Sequence, residues 1–578
     1  IQNVQTDMAR YAPSDEVQIS VPVGNRSTTP LNDATVTVDF TSGGVSVDTS
    51  QTEVIDLAPG ENTTVQFAWT PPTTDYTGYK LDVTFQDEND VVLDTAASAV
   101  DVSSDWAMYP RYGFMTDYPD QNPSESAYLM QQLNDFHING LQFYDWQAEH
   151  HTPLAGTVGS PDPSWVDIQG RYTSGATVSE QIDQAHAFNM VAQNYNLAYG
   201  AWAGYGEDGS GVDPAWGMWW NTDCTNQSGF DLPSGWATPR MYWFDPENTD
   251  WQDYIFARED EAMTVYPFDG WHVDSFGDVG TVYDCNGNLL DNDQGISDFL
   301  AAAKAELGKK ITFNAVANFS TDIHDAVDLE FNYVEMWETL GQETFADMKD
   351  IIDSNWATTG KPTVIAGYLD YDYAKTTTTN QKLANDAGVR FFDSLVLASG
   401  GSHLELGEGV EMLTNEYFPA RHVAMSESLV GSVRDLYDFG VANATMLYDP
   451  ALEAGSRTIT LPALAESTDG TPGTVWTFSR EKDGYDVVHL LNMLDATSDE
   501  WRDRDADMPA AAVRSNVVVK YYYGTGTVGD VLVASPDRAQ GEYTTVSHTS
   551  GSDGGGSYIQ FTVPSLEYWD MIVVEVDR

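Results

Sequence analysis

Apolar and polar residues alternate in four short runs near the N-terminus: VQISVPV (17–23), ATVTVDF (34–40), TTVQFAW (63–69) and YKLDVTF (79–85). A period of two marks a strand with one buried face, and turn clusters such as LAPGEN separate the runs. Residues 1–104 are therefore expected to form an immunoglobulin-like β-sandwich with a packing or spacer role. From 105 to 447 the pattern changes. β-like runs now alternate with stretches of helical period, such as SESAYLMQQLNDFH, SDFLAAAKAELG and TFADMKDIIDSNW. The expected strands are 111–118, 140–146, 191–199, 270–276, 310–316, 330–337, 363–369 and 402–408. Eight βα units predict a central (β/α)8 TIM barrel. Residues 448–578 return to alternation (RTITLPAL, YDVVHLLNML, NVVVKYYY, MIVVEV) and predict a second β-sandwich, with GSDGGGS (551–557) as a hairpin turn.

In such a barrel the C-terminal strand ends form the active face. Asp117, Tyr118, Asp145, Trp146, Asp274, Glu335, Trp337 and Glu405 sit there and would share one mouth. The Gly- and Trp-rich stretch between 200 and 240 is expected to form a loop over it. Cleaving a glycosidic bond takes two carboxyl groups flanking the bond. Asp274 ends GWHVDSFG, and Glu335 ends the strand two βα units later. Glu335 lies between Tyr333 and Trp337, an aromatic setting that raises a carboxyl pKa and suits a general acid. Asp274 has to stay ionised, with His272 or Asp145 as polar support. Candidates for substrate contact are Asp145, Tyr144, Trp337, Tyr118, Asp117, Tyr195, His272 and Glu408. Glu338, Glu405, Glu408 and Glu411 compete with Glu335 for the acid role. Glu338 reads as a solvated or loop-bonding group, Glu405 and Glu408 equally as substrate-hydroxyl contacts or structural hydrogen-bond groups, Asp278 as structural, and Trp271 as core. His150 and His151 are neighbours pointing different ways, which argues for loop shaping rather than a metal site.

At these residues the sequence resembles a known family. HINGLQFYDWQAEHH (137–151), GWHVDSFG (270–277), YVEMWE (333–338) and HLELGEGVEMLTNEYFP (403–419) are similar, in order, to the signature blocks of glycoside hydrolase family 66. That family comprises dextranases and cycloisomaltooligosaccharide glucanotransferases. The resemblance implies Asp274 as nucleophile, Glu335 as acid/base, and Asp145 holding the sugar beside the scissile bond. It also implies an α-1,6-glucan (dextran) substrate cleaved with retention to isomaltooligosaccharides. The cyclising transferases carry a carbohydrate-binding module inserted in the barrel, and only 61 residues separate Asp274 from Glu335 here. A plain endo-dextranase is the expectation. The alternatives are a glucanotransferase and a non-catalytic glucan-binding protein.

Composition narrows the partners. Against 89 Asp and Glu stand 26 Lys and Arg, a net charge of −63 spread along the whole chain. Such a surface repels nucleic acid and suits salty surroundings, where ions screen it. No apolar run reaches transmembrane length, and the chain opens on IQNVQTD without a leader, so a processed or truncated N-terminus and export are expected. No cofactor, no metal and no membrane partner are expected, and the protein is taken as a monomer. The two cysteines, Cys224 and Cys285, exclude a disulfide scaffold but leave one loop-pinning bond open. Five Asn-x-Ser/Thr triplets (Asn25, Asn62, Asn226, Asn318, Asn443) carry little weight alone.

Overall fold

The computed structural model describes residues 1–578 apart from 322–326, 377–381, 410 and 417–421. Positions 410 and 417–419 of the last signature block therefore lie outside the described residues. The protein is multidomain and mostly β, with its α-helices confined, among the described residues, to the stretch from Pro123 to Leu447.

The N-terminal runs form two antiparallel sheets. One holds Val17–Gly24 between Gln5–Thr6 and Asn62–Trp69, and the other pairs Leu31–Ser42 with Thr77–Gln86 and then Val92–Val102. Alternate residues of both sheets (Val17, Ile19 and Val21; Val36, Val38 and Phe40) meet in one core, as a period of two requires. At the C-terminal end, Val475–Lys482, Gly484–Asn492, Trp569–Asp577 and Thr527–Ala534 make one antiparallel sheet. Arg514–Tyr521 and Gly556–Leu566 anchor a second, and the two share a core around Val519, Val533, Phe561 and Ile572.

Between them, eight parallel strands alternate with helices: β1 (Tyr112–Met115), α1 (Pro123–Asn134), β2 (Gly140–Phe143), α2 (Gly175–Ala187), β3 (Val191–Leu197), α3 (Thr249–Val265), β4 (Gly270–Asp274), α4 (Asn292–Leu307), β5 (Lys310–Phe313), β6 (Asn332–Glu335), α5 (Phe345–Thr359), β7 (Thr363–Ala366), α6 (Asp386–Ala398), β8 (Gly401–His403) and α7 (Glu427–Ala442). β5-β4-β3-β2-β1 form one parallel sheet and β6-β7-β8 another. A parallel bridge from Asn314 to Tyr333 joins them at one edge, and Phe114 N–H donates to the Leu406 carbonyl (3.1 Å) at the other. Helix starts follow local chemistry. Asn122 caps α1 in a capping box with Glu125, and Thr344 caps α5 with Asp347.

Every parallel strand stops short of the apolar run that announced it. β2 ends at Phe143 because Asp145 takes a left-handed backbone (φ 51°), so Tyr144, Asp145 and Trp146 lie on a turn. After β3 the chain makes a long excursion. Gly200–Trp202, Arg240–Trp243 and Gly229–Asp231 pair as a small antiparallel sheet, and Cys224 forms a disulfide with Cys285 after β4 (Cα–Cα 4.8 Å). The bond therefore ties together the loops of neighbouring strands. From the C-terminal region, the 501–504 segment reaches back to the loops after β6 and β7: Trp501 Nε1–H donates to Gln342 O (2.7 Å), and the Arg502 guanidinium lies 5.1 Å from the Trp337 ring centre.

The N-terminal sheets are bolted on by a buried ion pair. Arg111, just before β1, gives its guanidinium to Asp101 Oδ2 (2.8 Å) and to the carbonyls of His137 (2.6 Å), Tyr109 (2.7 Å) and Ala9 (3.2 Å). Removing one partner strands the other charge. Arg111→Met should lower stability by about 3–5 kcal/mol in urea unfolding, and adding Asp101→Asn should recover part of that loss.

Candidate active site

The C-terminal ends of the parallel strands surround a narrow inner chamber of about 40 Å³. It opens into an outer cavity of about 330 Å³. Asp274, Glu335, Tyr144, Tyr195 and Glu416 border both. Each element contributes the side chain at or just past its last paired residue: Tyr144 after β2, Asp274 on β4, Asn314 after β5, Glu335 on β6 and Tyr368 after β7.

Asp274 and Glu335 are tied to one amide. Asn314 Nδ2 donates to Asp274 Oδ1 (2.7 Å) and to Glu335 Oε2 (3.1 Å). Asp274 also accepts the Tyr195 hydroxyl on Oδ2 (2.6 Å) and its neighbour Ser275 N–H on Oδ1 (2.9 Å). Glu335 Oε1 accepts the Tyr368 hydroxyl (2.6 Å). Burial pushes the Asp274 carboxyl above its ordinary value, and those donors hold it back. Burial, with the Asp274 charge added, pushes Glu335 further, to about 7. Glu335 is the member of the pair that keeps its proton.

Asp145 borders the outer cavity with its pKa pushed up to about 8 by burial and by Asp167. Trp337 lines the same cavity and packs near Tyr368 and Tyr371. His272 lies in the floor of the inner chamber, between the rings of Tyr112 and Tyr195, with Tyr333 edge-on at 4.7 Å. Burial lowers its pKa to about 3, so it is neutral.

Several expected contacts are corrected. His272 and Asp145 make no hydrogen bond to Asp274; Tyr195 and Asn314 support it instead. Tyr118 turns inward, stacks on Phe143 and donates to the carbonyls of Met115 and Tyr144, so it does not border the cavity. Glu408 is buried and accepts both the N–H (2.9 Å) and the hydroxyl (3.0 Å) of Thr116, which clamps the loop after β1. Asp117 sits at the rim, 3.9 Å from Arg171. Trp146 is core, its Nε1–H on Asn194 Oδ1 (2.8 Å), as is Trp271. Asn314, Tyr368 and Glu416 are polar cavity residues that the sequence pattern does not single out. The strand-end rule that selected the others covers the first two, and Glu416 lies within the last signature block.

Two clusters have the donor types of a metal site. In the first, His151 Nε2 faces Asp208 (2.8 Å) and Glu149 (3.3 Å), but its Nδ1 accepts Trp202 N–H (3.3 Å), which places the ring proton on Nε2. In the second, His403 points Nδ1 at Asp393 (2.9 Å) and Nε2 at the Gly367 carbonyl (2.9 Å). Burial opposes its charge, yet Glu405 and Asp393 push it up to about 10, so both ring nitrogens are donors. Neither histidine has a lone pair to offer. His150, next in sequence to His151, is neutral, its pKa lowered to about 3 by burial, and accepts Trp202 Nε1–H (3.0 Å).

A half-buried pair of carboxyls facing a cavity at the strand ends of an α/β core, one with its pKa raised to about 7 and one held by three hydrogen-bond donors, is the equipment of a glycoside hydrolase. The comparisons agree. The chain belongs to Glycosyl hydrolase family 66, whose profile matches residues 6–573. It is 30% identical to a cycloisomaltooligosaccharide glucanotransferase of Niallia circulans, over 100% of this chain and 72% of that protein. It is 24% identical to a dextranase of Streptococcus salivarius, over 89% and 69%. The crystal structure of a Paenibacillus sp. cycloisomaltooligosaccharide glucanotransferase complexed with cycloisomaltoheptaose superposes with a TM-score of 0.91 at 27% identity, covering 99% of each chain.

The shifted carboxyl also bears on stability. Because the Glu335 pKa is raised on folding, the folded state holds a proton that the unfolded chain releases near 4.5. Stability is full below that value and falls as pH rises through about 7. Glu335→Gln removes this linkage, so its stability relative to wild type should rise by up to about 3 kcal/mol between pH 4 and pH 8. Unfolding midpoints at the two pH values measure it; an unchanged difference would show that Glu335 titrates normally.

Proposed function

We propose that this protein is an endo-acting hydrolase of α-1,6-glucosidic linkages in dextran, releasing isomaltooligosaccharides with retention of configuration. Asp274 is the nucleophile and Glu335 the general acid/base. One observation carries the mechanism. The two donor legs from Asn314 Nδ2 cap the separation of the carboxyl oxygens at 5.8 Å, the sum of 2.7 and 3.1 Å. With the amide hydrogens spread by roughly 120°, the oxygens lie about 5 Å apart, which matches the ~5–5.5 Å of retaining enzymes and leaves no room for the water an inverting enzyme places between its carboxyls.

Glu335 protonates the glycosidic oxygen while Asp274 attacks the anomeric carbon, giving a glycosyl-enzyme ester and a free sugar end. Glu335, now ionised, takes a proton from the incoming water, whose oxygen displaces Asp274. Asp145, Tyr144, Tyr195 and Trp337 border the space the sugar fills, and Glu416 adds an acceptor for its hydroxyls. The scaffold reading is a closed (β/α)8 barrel of 105–447, supported by the bonds joining the parallel sheets at both edges, between β-sandwiches of 1–104 and 448–578.

The choice of water as acceptor is supported by the length of the connections. The longest stretch between parallel strands, 198–269, is taken up by the small antiparallel sheet and α3. The second reading, a glucanotransferase, draws on the 30% identity to such an enzyme. Secretion fits a polymer too large to enter a cell, and the net charge of −63 fits function at high salt.

Incubation with dextran at high salt should yield linear isomaltooligosaccharides, and cyclic products would instead favour transfer. Glu335→Ala should lose about 10²- to 10⁴-fold in kcat on dextran, and Asp274→Ala nearly all activity. Proton NMR during the first turnovers should show the α-anomer first; an initial β-anomer would overturn retention. The basic limb of kcat/KM should fall near pH 7, where Glu335 loses its proton. Tyr368→Phe removes a donor that favours the ionised form, so that limb should move to higher pH.

A further inference from the structure

The outer cavity does not end at the carboxyl pair. Phe276, two residues past Asp274, forms part of its wall together with Phe230, their ring centres 4.7 Å apart. Trp243 lies 5.2 Å beyond Phe276, and Trp220 packs edge-on to Trp243 at 5.6 Å. Trp220 is 37% exposed at the surface. Ring contacts thus link the cavity wall, through the buried Trp243, to an exposed tryptophan at the surface.

The outer end of this line is held rigid. Trp219 exchanges both backbone hydrogen bonds with Tyr283 (2.9 and 2.8 Å), and Trp220 N–H donates to Asn226 O (2.9 Å). The Cys224–Cys285 disulfide closes the same two segments on each other. The indole N–H of Trp243 is buried and has no acceptor among the described residues. Leu289 is 67% exposed on the turn that pairs with Tyr283. A tryptophan held rigid by a disulfide, exposed at the surface and two ring contacts from the cavity wall, presents a fixed flat apolar face of the kind a sugar ring covers.

We infer that Trp220, backed by the buried Trp243, forms a distal subsite for the glucan strand where it leaves the catalytic cavity, a few glucosyl units from the scissile bond. The ring-to-ring steps place Trp220 no more than 15.5 Å from Phe230, the sum of 4.7, 5.2 and 5.6 Å. The C–H face of a pyranose stacks on the exposed face of the Trp220 indole. A strand gripped this far out is cut internally, and short oligosaccharides that do not reach Trp220 lose the grip. This inference rests on the glucan reading of the site.

Its test compares wild type, Trp220→Ala and Trp220→Phe on long dextran and on isomaltotriose. The ratio of kcat/KM on dextran to that on isomaltotriose should fall about 3- to 10-fold in Trp220→Ala, through KM, and recover largely in Trp220→Phe, as the loss of one aromatic contact implies. Equal losses on both substrates would mean that Trp220 only shapes the loop, and no change on either would mean that nothing binds there; both overturn the subsite. A wild type inert on dextran and isomaltotriose alike would instead remove the glucan reading, and the subsite with it.

Discussion

The site depends on one amide nitrogen shared by two carboxyl groups. Asp274 and Glu335 are both drawn out of water, and at about 5 Å two bare carboxylates repel strongly in a low-dielectric setting. Asn314 Nδ2 sends one hydrogen to each, which holds the pair at a fixed distance. The amide can sit only this way round, since a flip would turn its oxygen onto both acids. Its Oδ1 accepts no hydrogen bond among the described residues, so the full donor capacity of the group is spent on the pair. Unequal support then separates the two acids. Asp274 has three donors and Glu335 two, one of them shared, and the residual repulsion falls on the group that keeps its proton.

That arrangement is passed down to the packing below it. Along β3, Tyr195 faces the chamber while Asn194 and Asn196 face α3, as strand alternation dictates. Both amides donate to Glu259 on α3, Asn194 at 2.6 Å. Asn194 Oδ1 takes the Trp146 indole, and Asn196 also donates to the His150 carbonyl (2.7 Å). The Glu259 carboxyl, raised to about 7 by burial, is thus the hub that fixes both β3 and the turn bearing Asp145. The hydroxyl that steadies Asp274 is only as well placed as this strand.

Much of this was legible in the sequence. The change of period from two to helical and back located every parallel strand, because half-buried strands and amphipathic helices leave different patterns. The strand ends were not legible. A run such as GLQFYDW looks continuous, yet Asp145 turns the backbone left-handed and breaks it. Tyr118 and Glu408 lie near strand ends, where polar residues commonly face a cavity, but Tyr118 donates to the carbonyls of Met115 and Tyr144 and Glu408 accepts the N–H and hydroxyl of Thr116. Asn314 and Tyr368 sit at strand ends but in no signature block, and their part in the site is not legible from one strand at a time: the groups that tune a carboxylate lie on neighbouring strands whose proximity exists only in three dimensions.

The geometry also frames what decides between water and sugar as acceptor. On the proposed mechanism the carboxyl pair is indifferent to that choice, since an ester on Asp274 can be attacked by either. The difference lies in how long the space beside the ester stays occupied after the first bond breaks. The wall of Phe230, Phe276 and Trp236 is apolar and presents few groups to hold a lone water, but it matches the face of a sugar ring. A departing segment still gripped along the aromatic line keeps water out and favours its own return, while one that leaves quickly admits water. On the proposed mechanism, hydrolysis and transfer therefore differ in the apolar contacts outside the reacting centre and not in the acids themselves.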